Sequence, residues 1–153
     1  MTVRDEFDLR DLGVFTHYRV VKKWASDMND ITTTDFEYLT VLFQLRKFTV
    51  QEFSNISYLH KWDNNRIKRY VEEGWIEVFR QSRGGRNPSK KIYKVTRKLD
   101  HMMLNCYRIL LGKQEIPISY RNPYYEAEGY TAKVANQAID LVNKDIRNKN
   151  KKE

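Results

Sequence analysis

The sequence predicts a mostly helical protein with one small β-hairpin, and three observations support this fold class. Apolar residues recur every three to four positions along most of the chain, which is typical of helices that bury one face. Two stretches rich in β-branched and aromatic residues, 75–81 and 91–96, flank the turn-forming segment 82–89. The 153 residues are 41% hydrophobic, which is enough for a packed core in a single domain.

The first predicted helix covers roughly residues 8 to 28, where apolar side chains follow heptad spacing. Because this stripe exceeds what a compact domain needs for its own core, we expect it to form a dimerisation surface. That surface comprises Val14, Tyr18, Val21, Ala25 and Met28. The alternative is that the first and last helices pack against one another within one chain.

The next two helices have N-terminal signals. Thr34 and Glu37 have the spacing of a capping box, which predicts a helix that begins there and ends near Lys47. Thr49 is expected to cap a short helix that follows. The apolar positions predicted to face the core are Phe36, Leu39, Leu42 and Phe43 in the longer helix, and Val50, Phe53 and Ile56 in the shorter one.

A second short helix is predicted next, and it should end at Gly74 because glycine favours helix C-termini. The hairpin follows, and Asp100 is expected to cap the helix after it. A linker over 114–130 leads to a last helix that starts at Thr131, and residues 148–153 are expected to fray. The predicted inner faces contain Ile67, Tyr70 and Val71, then Met103, Cys106, Tyr107 and Leu110, then Val134, Ala135, Ala138, Ile139, Leu141, Val142 and Ile146.

This order of helices, strand, basic loop, strand and helix predicts a winged helix-turn-helix, in which the hairpin is the wing. The single domain divides into an N-terminal dimerisation helix over 1–30, the winged helix-turn-helix over 31–112, and a linker with a C-terminal helix over 113–153. The two terminal helices are expected to form a homodimer.

Two segments carry a family resemblance. The segment TVQEFSNI at 49–56 is followed by RIKRYVEEGWIE at 66–77, and Val95-Thr96 ends the second strand. In this pattern the chain resembles the MarR family of transcription regulators. Glu73-Gly74-Trp75-Ile76 matches the segment that ends the helix before the wing in that family. The family wing usually carries an Asp-x-Arg pair, whereas the wing here has Arg83 and Arg86 without an acid. The resemblance implies a dimeric DNA-binding protein with a possible small-molecule effector, of unknown identity.

The excess positive charge is concentrated in residues 61–98. This segment has 12 basic and 4 acidic residues, a net charge of +8, and the whole chain also has +8 from 28 basic and 20 acidic residues. Because clustered like charges repel one another, a polyanionic partner is the simplest reason to retain them. Nucleic acid is the commonest such partner, and double-stranded DNA is the partner we expect.

Candidate DNA-binding residues come from the helix before the hairpin and from the wing. With Ile67 turned inward at 100° per residue, the outer face contains basic, aromatic and amide side chains that suit a major groove. These are Lys61, Trp62, Asn65, Lys68 and Arg69, and the wing adds Arg83, Arg86, Lys90 and Lys91. Lys94, Arg97 and Lys98, near the hairpin base, are candidates for phosphate contacts. The alternative for both sets is an ordinary solvated surface.

Other residues give no sign of an active site. His17, His60 and His101 lack metal-ligand spacing, and no nucleophile and base are suggestively placed, so we expect no metal, no cofactor and no enzyme. Cys106 is expected to be a small core side chain. The polar, acidic N-terminus and the lack of a long apolar run predict a cytoplasmic protein without a membrane segment, in host cytoplasm if the gene is viral.

Two functions remain open from the sequence. The first is a sequence-specific, double-stranded-DNA-binding transcriptional regulator that acts as a homodimer. The second is a non-enzymatic winged-helix interaction module within a larger nucleoprotein or virion assembly. A regulator should prefer one near-palindromic site over random DNA by at least about 10³, whereas an assembly module should bind without sequence preference.

Overall fold

The computed structural model describes residues 13–56, 60–80, 91–118, 122–125 and 128–151. In these ranges the chain is mostly helical with a small three-stranded antiparallel sheet, which is compatible with a winged-helix-like class. The helices are α1 Val14–Met28, α2 Thr33–Leu45, α3 Val50–Ile56, α4 Asn64–Glu73, α5 Arg97–Leu110 and α6 Tyr130–Lys151, and the strands are β1 Lys47–Phe48, β2 Ile76–Arg80 and β3 Ile92–Val95.

The chain forms two compact units, which we call the sheet unit and the terminal unit. The sheet unit comprises Thr34–Leu104 and contains most of α2, α3, α4 and all three strands. The terminal unit combines the residues before Thr34 with those after Leu104, and so contains α1 and α6. Helix α5 begins in the sheet unit and ends in the terminal unit.

The sheet has the strand order β1-β3-β2, and both pairs are antiparallel. The predicted hairpin of two strands is confirmed, whereas the tip over 82–89 lies outside the described residues. The short strand β1 was not predicted: Lys47 pairs with Lys94, and Phe48 pairs with Tyr93. Strand β2 contains an irregularity between Val78 and Arg80, which leaves Phe79 as the extra residue of a bulge.

The core of the sheet unit is built from apolar side chains of its helices and of β1 and β2, whereas the side chains of β3 are half-buried. The alternation of the strands turns Phe48 inward, and Trp75 fills the start of the hairpin. The predicted inner positions Phe36, Leu39, Leu42, Phe53 and Ile67 are buried, as is Tyr70, but Ile56 is exposed at the end of α3.

Several predicted helix boundaries are corrected. The α2 helix begins at Thr33, one residue before the predicted cap, whereas the Thr49 hydroxyl does cap α3 and accepts from the Glu52 amide at 3.2 Å. Asp100 does not cap α5, because the helix already begins at Arg97 and the Thr96 carbonyl accepts from the Asp100 amide at 3.1 Å. The buried line of α5 contains Leu99, Met102, Met103, Cys106 and Ile109. The predicted inner position Tyr107 is therefore wrong, and Leu110 is only half-buried.

In the terminal unit, helix α1 packs against α6, and this contact covers part of the predicted dimerisation stripe. Val21 and Ala25 are buried within the single chain. Val14 and Met28 remain exposed, and Tyr18 is half-buried. Only the middle part of the stripe faces α6, so its ends are more exposed than its centre. This agrees with the alternative that the first and last helices pack against one another within one chain. The part of the predicted helix before residue 13 lies outside the described residues.

Two asparagines attach the linker to α6. Asn143 is buried, accepts from the Ile116 amide at 2.7 Å and donates to the Ile116 carbonyl at 3.0 Å. Asn136 donates to the Tyr124 carbonyl at 3.1 Å, and the Tyr124 hydroxyl donates to Asp27 on α1. Helix α6 begins at Tyr130 and continues to Lys151, so the predicted fraying from residue 148 is wrong as far as Lys151.

Candidate nucleic-acid interface

Helix α4 is defined at both ends by residues suited to those positions. The carboxylate of Asp63 accepts from the Arg66 amide at 3.1 Å, which satisfies one of the free amides of the first turn. Gly74 ends the helix in the left-handed conformation with a φ of 84°, which glycine adopts without steric cost. The predicted stop at Gly74 is therefore confirmed.

A buried carboxylate holds α4 against α2. Asp35 is 3% exposed and accepts from the hydroxyl of Tyr70 at 2.7 Å and from the guanidinium groups of Arg66 and Arg69. Burial and the neighbouring Asp35 carboxylate raise the pKa of Tyr70, and its hydrogen bond to Arg66 raises the pKa of that guanidinium. This network joins residues of α2 and α4 that are 31 and 34 positions apart in sequence. Pattern reasoning missed Asp35, because an acid in the first turn of a helix is ordinary.

The predicted outer face of α4 is only partly as expected. Asn65 and Lys68 are exposed on the helix, but the guanidinium of Arg69 is turned towards Asp35 and lies 3.8 Å from Glu73. Lys61 and Trp62 precede the helix, so their predicted place on its outer face is wrong. The helical phase cannot be extended back to them because Asp63 is the N-cap and has an extended backbone.

Trp62 instead belongs to an aromatic cluster on the inner face of the sheet. Its ring centroid lies 6.3 Å from Phe48, 5.6 Å from Phe53 and 5.8 Å from Tyr93. The indole N–H donates to the side chain of Asn64 at 2.7 Å. The cluster therefore fixes the start of α4 relative to β1, β3 and α3.

A groove of about 560 Å³ lies beside the N-terminal end of α4. The hydroxyl of Tyr38 holds the backbone on one side of this groove, because it donates to the Lys61 carbonyl at 3.0 Å and accepts from the Asp63 amide at 3.3 Å. Burial raises the pKa of Tyr38 to about 12, so this hydroxyl stays protonated at neutral pH. The groove is lined by Thr34, Tyr38, His60, Lys61, Trp62, Asp63, Asn64, Asn65 and Arg66.

Charge is distributed unevenly along the exposed side of α4. Lys68 lies in its N-terminal half and Lys61 lies just before the helix, whereas Glu72 and Glu73 lie at its C-terminal end. Neither lysine makes an ion pair within the described part of the chain. These lysines therefore lie in or just before the half of a recognition helix that contacts base edges in helix-turn-helix proteins.

The hairpin contributes further basic residues. Lys91 is half-buried just before β3, whereas Arg83, Arg86 and Lys90 lie outside the described residues. Lys94 pairs with Glu77 at 3.1 Å. The ammonium of Lys98 donates to the Glu73 carbonyl at 2.8 Å and lies 4.1 Å from the Trp75 ring centroid. Lys94 and Lys98, predicted for phosphate contacts, thus have partners within the chain.

Other candidate sites are weaker. No group of three His, Cys, Asp or Glu side chains that could hold a metal ion occurs in the described ranges. Cys106 is buried, as predicted, and burial raises the pKa of its thiol to about 12. The terminal unit has a groove of about 380 Å³ between α1 and α6, to which Val20, Tyr124 and Ile139 contribute.

Among the described helices, none has both the length and the apolar character needed to cross a bilayer. Comparison of the chain with protein-family models, with curated proteins and with solved structures finds no match.

Proposed function

We propose that the protein is a winged helix-turn-helix regulator of the MarR-like type that binds double-stranded DNA as a homodimer. The proposal assigns α4 to the major groove and the hairpin to the role of a wing. The observation that carries it is the N-terminal half of α4, where Asn65 and Lys68 are exposed and Lys68 makes no ion pair within the described residues, next to a hairpin in a chain segment of net charge +8. Asn suits adenine and Lys suits guanine or phosphate, so this half can provide both affinity and selectivity.

Two features support the assignment of α4. Its inner side is fixed by Asp35 and by the aromatic cluster around Trp62, which gives the exposed side a defined orientation. The sheet order β1-β3-β2, with β1 between α2 and α3, is compatible with a winged-helix-like class. A rigid helix of this kind can present its side chains to base edges at little cost in conformational entropy.

The test is duplex binding measured by fluorescence anisotropy at several salt concentrations. Lys68→Ala should weaken binding to all duplexes and reduce the salt dependence by about one counterion per subunit. Asn65→Ala should weaken binding to a selected site more than binding to random DNA. Lys144→Ala, an exposed lysine on α6, is the matched control and should change neither. The DNA-binding proposal would be abandoned if Lys68→Ala behaved like this control.

The homodimer is assigned to a different surface from the stripe predicted on α1. Helix α6 exposes Tyr130, Val134 and Leu141, which follow helical spacing along one side, and Phe15 on α1 is 85% exposed. Exposed apolar residues in such a row favour association with another protein surface. Light scattering should give about twice the 18.5 kDa chain mass, and Leu141→Glu should give the monomer mass. A wild-type monomer at micromolar concentration would exclude this model.

The same exposed apolar residues are the observation that favours the second candidate, an interaction module within a larger assembly. In that case the terminal unit would hold a different protein, and duplex binding would show only a salt-dependent, sequence-independent component. Selection of a preferred sequence from random duplexes distinguishes the two candidates, because only a regulator enriches one site.

A further inference from the structure

The outer face of the sheet has an aromatic side chain flanked by two lysines. Strand pairing matches Lys47 with Lys94 and Phe48 with Tyr93, and the stacked rings of Phe48 and Tyr93 face the core. Because side chains alternate along a strand, the two lysines point to the opposite face. Phe79, the extra residue of the β2 bulge, lies with them and is 48% exposed.

The contacts in this cluster bring two positive charges onto one ring. The ammonium of Lys47 lies 4.2 Å from the centroid of Phe79, and that of Lys94 lies 5.3 Å from it. Attraction to the face of the ring offsets part of their mutual repulsion. Glu77 is the only carboxylate paired with this cluster in the described structure, and it contacts Lys94. One ammonium thus lacks an anionic partner within the described residues.

We propose that this outer face binds an unpaired strand of nucleic acid. One base stacks on Phe79, and the adjoining phosphates contact Lys47 and Lys94. Stacking covers the part of the Phe79 ring that the two lysines leave exposed, and the phosphates supply the negative charge that two lysines and one glutamate leave uncompensated. An aromatic side chain beside a positive surface is the combination by which proteins bind single strands without reading sequence.

This surface is distinct from the proposed duplex interface. Trp62, immediately before the Asp63 cap of α4, contacts Phe48 and Tyr93 on the inner face of the sheet, whereas Phe79 lies on the outer face with the lysines. A base on Phe79 and a duplex on α4 therefore occupy opposite sides of β1 and β3.

The experiment measures binding of fluorescent single strands of about 12 nucleotides, one DNA and one RNA, by anisotropy. Phe79→Ala should weaken single-strand binding about 5- to 150-fold, and Phe79→Tyr should restore it. Tyr125→Ala removes a comparably exposed aromatic side chain from the terminal unit, 58% exposed against 48% for Phe79, and is the matched control. The double variant Lys47→Gln, Lys94→Gln tests the phosphate contacts even if Phe79→Ala disturbs the sheet.

Three outcomes would overturn the proposal. The wild-type protein could fail to bind either single strand, or Phe79→Ala and the lysine double variant could bind as the wild type does. Phe79→Ala could also weaken duplex and single-strand binding equally, in which case the outer face belongs to the duplex interface. Failure of Lys68→Ala to affect duplexes would refute the proposed regulator and leave the single-strand surface intact, so the two proposals fail separately.

Discussion

The hydroxyl of Tyr70 donates a hydrogen bond to the carboxylate of Asp35 at 2.7 Å, and both groups are buried between α2 and α4. The same carboxylate accepts from Arg66 and Arg69, so one side chain of α2 holds three side chains of α4. The contact between α2 and α4 thus centres on a single acid. A buried charge of this kind is stable only while its donors remain in place.

Replacing Asp35 by alanine should therefore lower the free energy of unfolding by about 1–3 kcal/mol, because a buried hydroxyl and a partly buried guanidinium lose their acceptor. Glu77→Ala removes the partner of Lys94 on the exposed face and should cost no more than about 1 kcal/mol. Chemical denaturation followed by circular dichroism measures both values. Equal losses for the two variants would show that the Asp35 network does not stabilise the sheet unit.

Asp35 also shows which kind of contact the sequence does not predict. The hairpin, the Thr49 cap and the Gly74 stop were predictable because each depends on neighbouring residues. The ion pairs of Asp35 with Arg66 and Arg69 join residues that are 31 and 34 positions apart, and no local pattern reports them. A rotation of 100° per residue correctly predicts that Ile67 is buried. The same rotation does not apply before the Asp63 cap, where the helix has not yet begun, so the positions predicted for Lys61 and Trp62 are wrong.

The sequence does not predict strand β1, and it leaves open which surface covers the apolar stripe of the first helix. Two residues are too few to show the alternation of a strand, so Lys47–Phe48 could be recognised only from their pairing with β3. Arg46, just before them, has a φ of 66°, a conformation that a glycine would have signalled in the sequence. Val21 and Ala25 were correctly judged apolar and buried, but spacing alone does not say which helix covers them.

Stability should fall at alkaline pH because Tyr38 and Tyr70 are buried as neutral phenols. Burial raises the pKa of Tyr38 from 10.0 to about 12, and that of Tyr70 is also raised. Each contribution is fully present below the unfolded pKa near 10 and is lost as pH rises through the folded pKa. The free energy of unfolding should therefore decrease between about pH 10 and 12. Denaturation at a series of pH values measures this slope.

The control for the alkaline effect is Tyr38→Phe, which removes one of the titrating groups. Its pH slope should be shallower than that of the wild type, although its stability at neutral pH is lower because the hydrogen bonds to Lys61 and Asp63 are lost. An identical slope in both proteins would assign the alkaline loss to other groups.

Gly74 should tolerate asparagine better than alanine. Its φ of 84° disfavours any residue with a Cβ, but the space around it is open, so the cost is conformational rather than a clash. Gly74→Ala should lower the free energy of unfolding by about 1–2 kcal/mol. Gly74→Asn should cost less, because asparagine visits the left-handed region more readily. Thermal denaturation of the three proteins gives the ranking, and equal stability of the alanine variant and the wild type would mean that α4 ends differently in solution.

The last prediction compares the neighbouring residues Lys68 and Arg69 of α4. Sequence reasoning places Arg69 on the outermost line of the helix, but its guanidinium is engaged by Asp35 and approaches Glu73. Lys68 is exposed and has no such partner in the described structure. We therefore expect Lys68→Gln to weaken duplex binding more than Arg69→Gln does. Conversely, Arg69→Gln should lower the free energy of unfolding more than Lys68→Gln does, because it removes a donor from the buried carboxylate.

Anisotropy titrations with one duplex, together with denaturation of the same samples, separate the two effects. Lys68→Gln should shift affinity and salt dependence at unchanged stability, since it removes a charge that makes no ion pair among the described residues. A larger loss of duplex affinity for Arg69→Gln than for Lys68→Gln would contradict this expectation. It would mean that Arg69 leaves Asp35 when DNA binds, so that its internal ion pair is exchanged for a contact with the duplex.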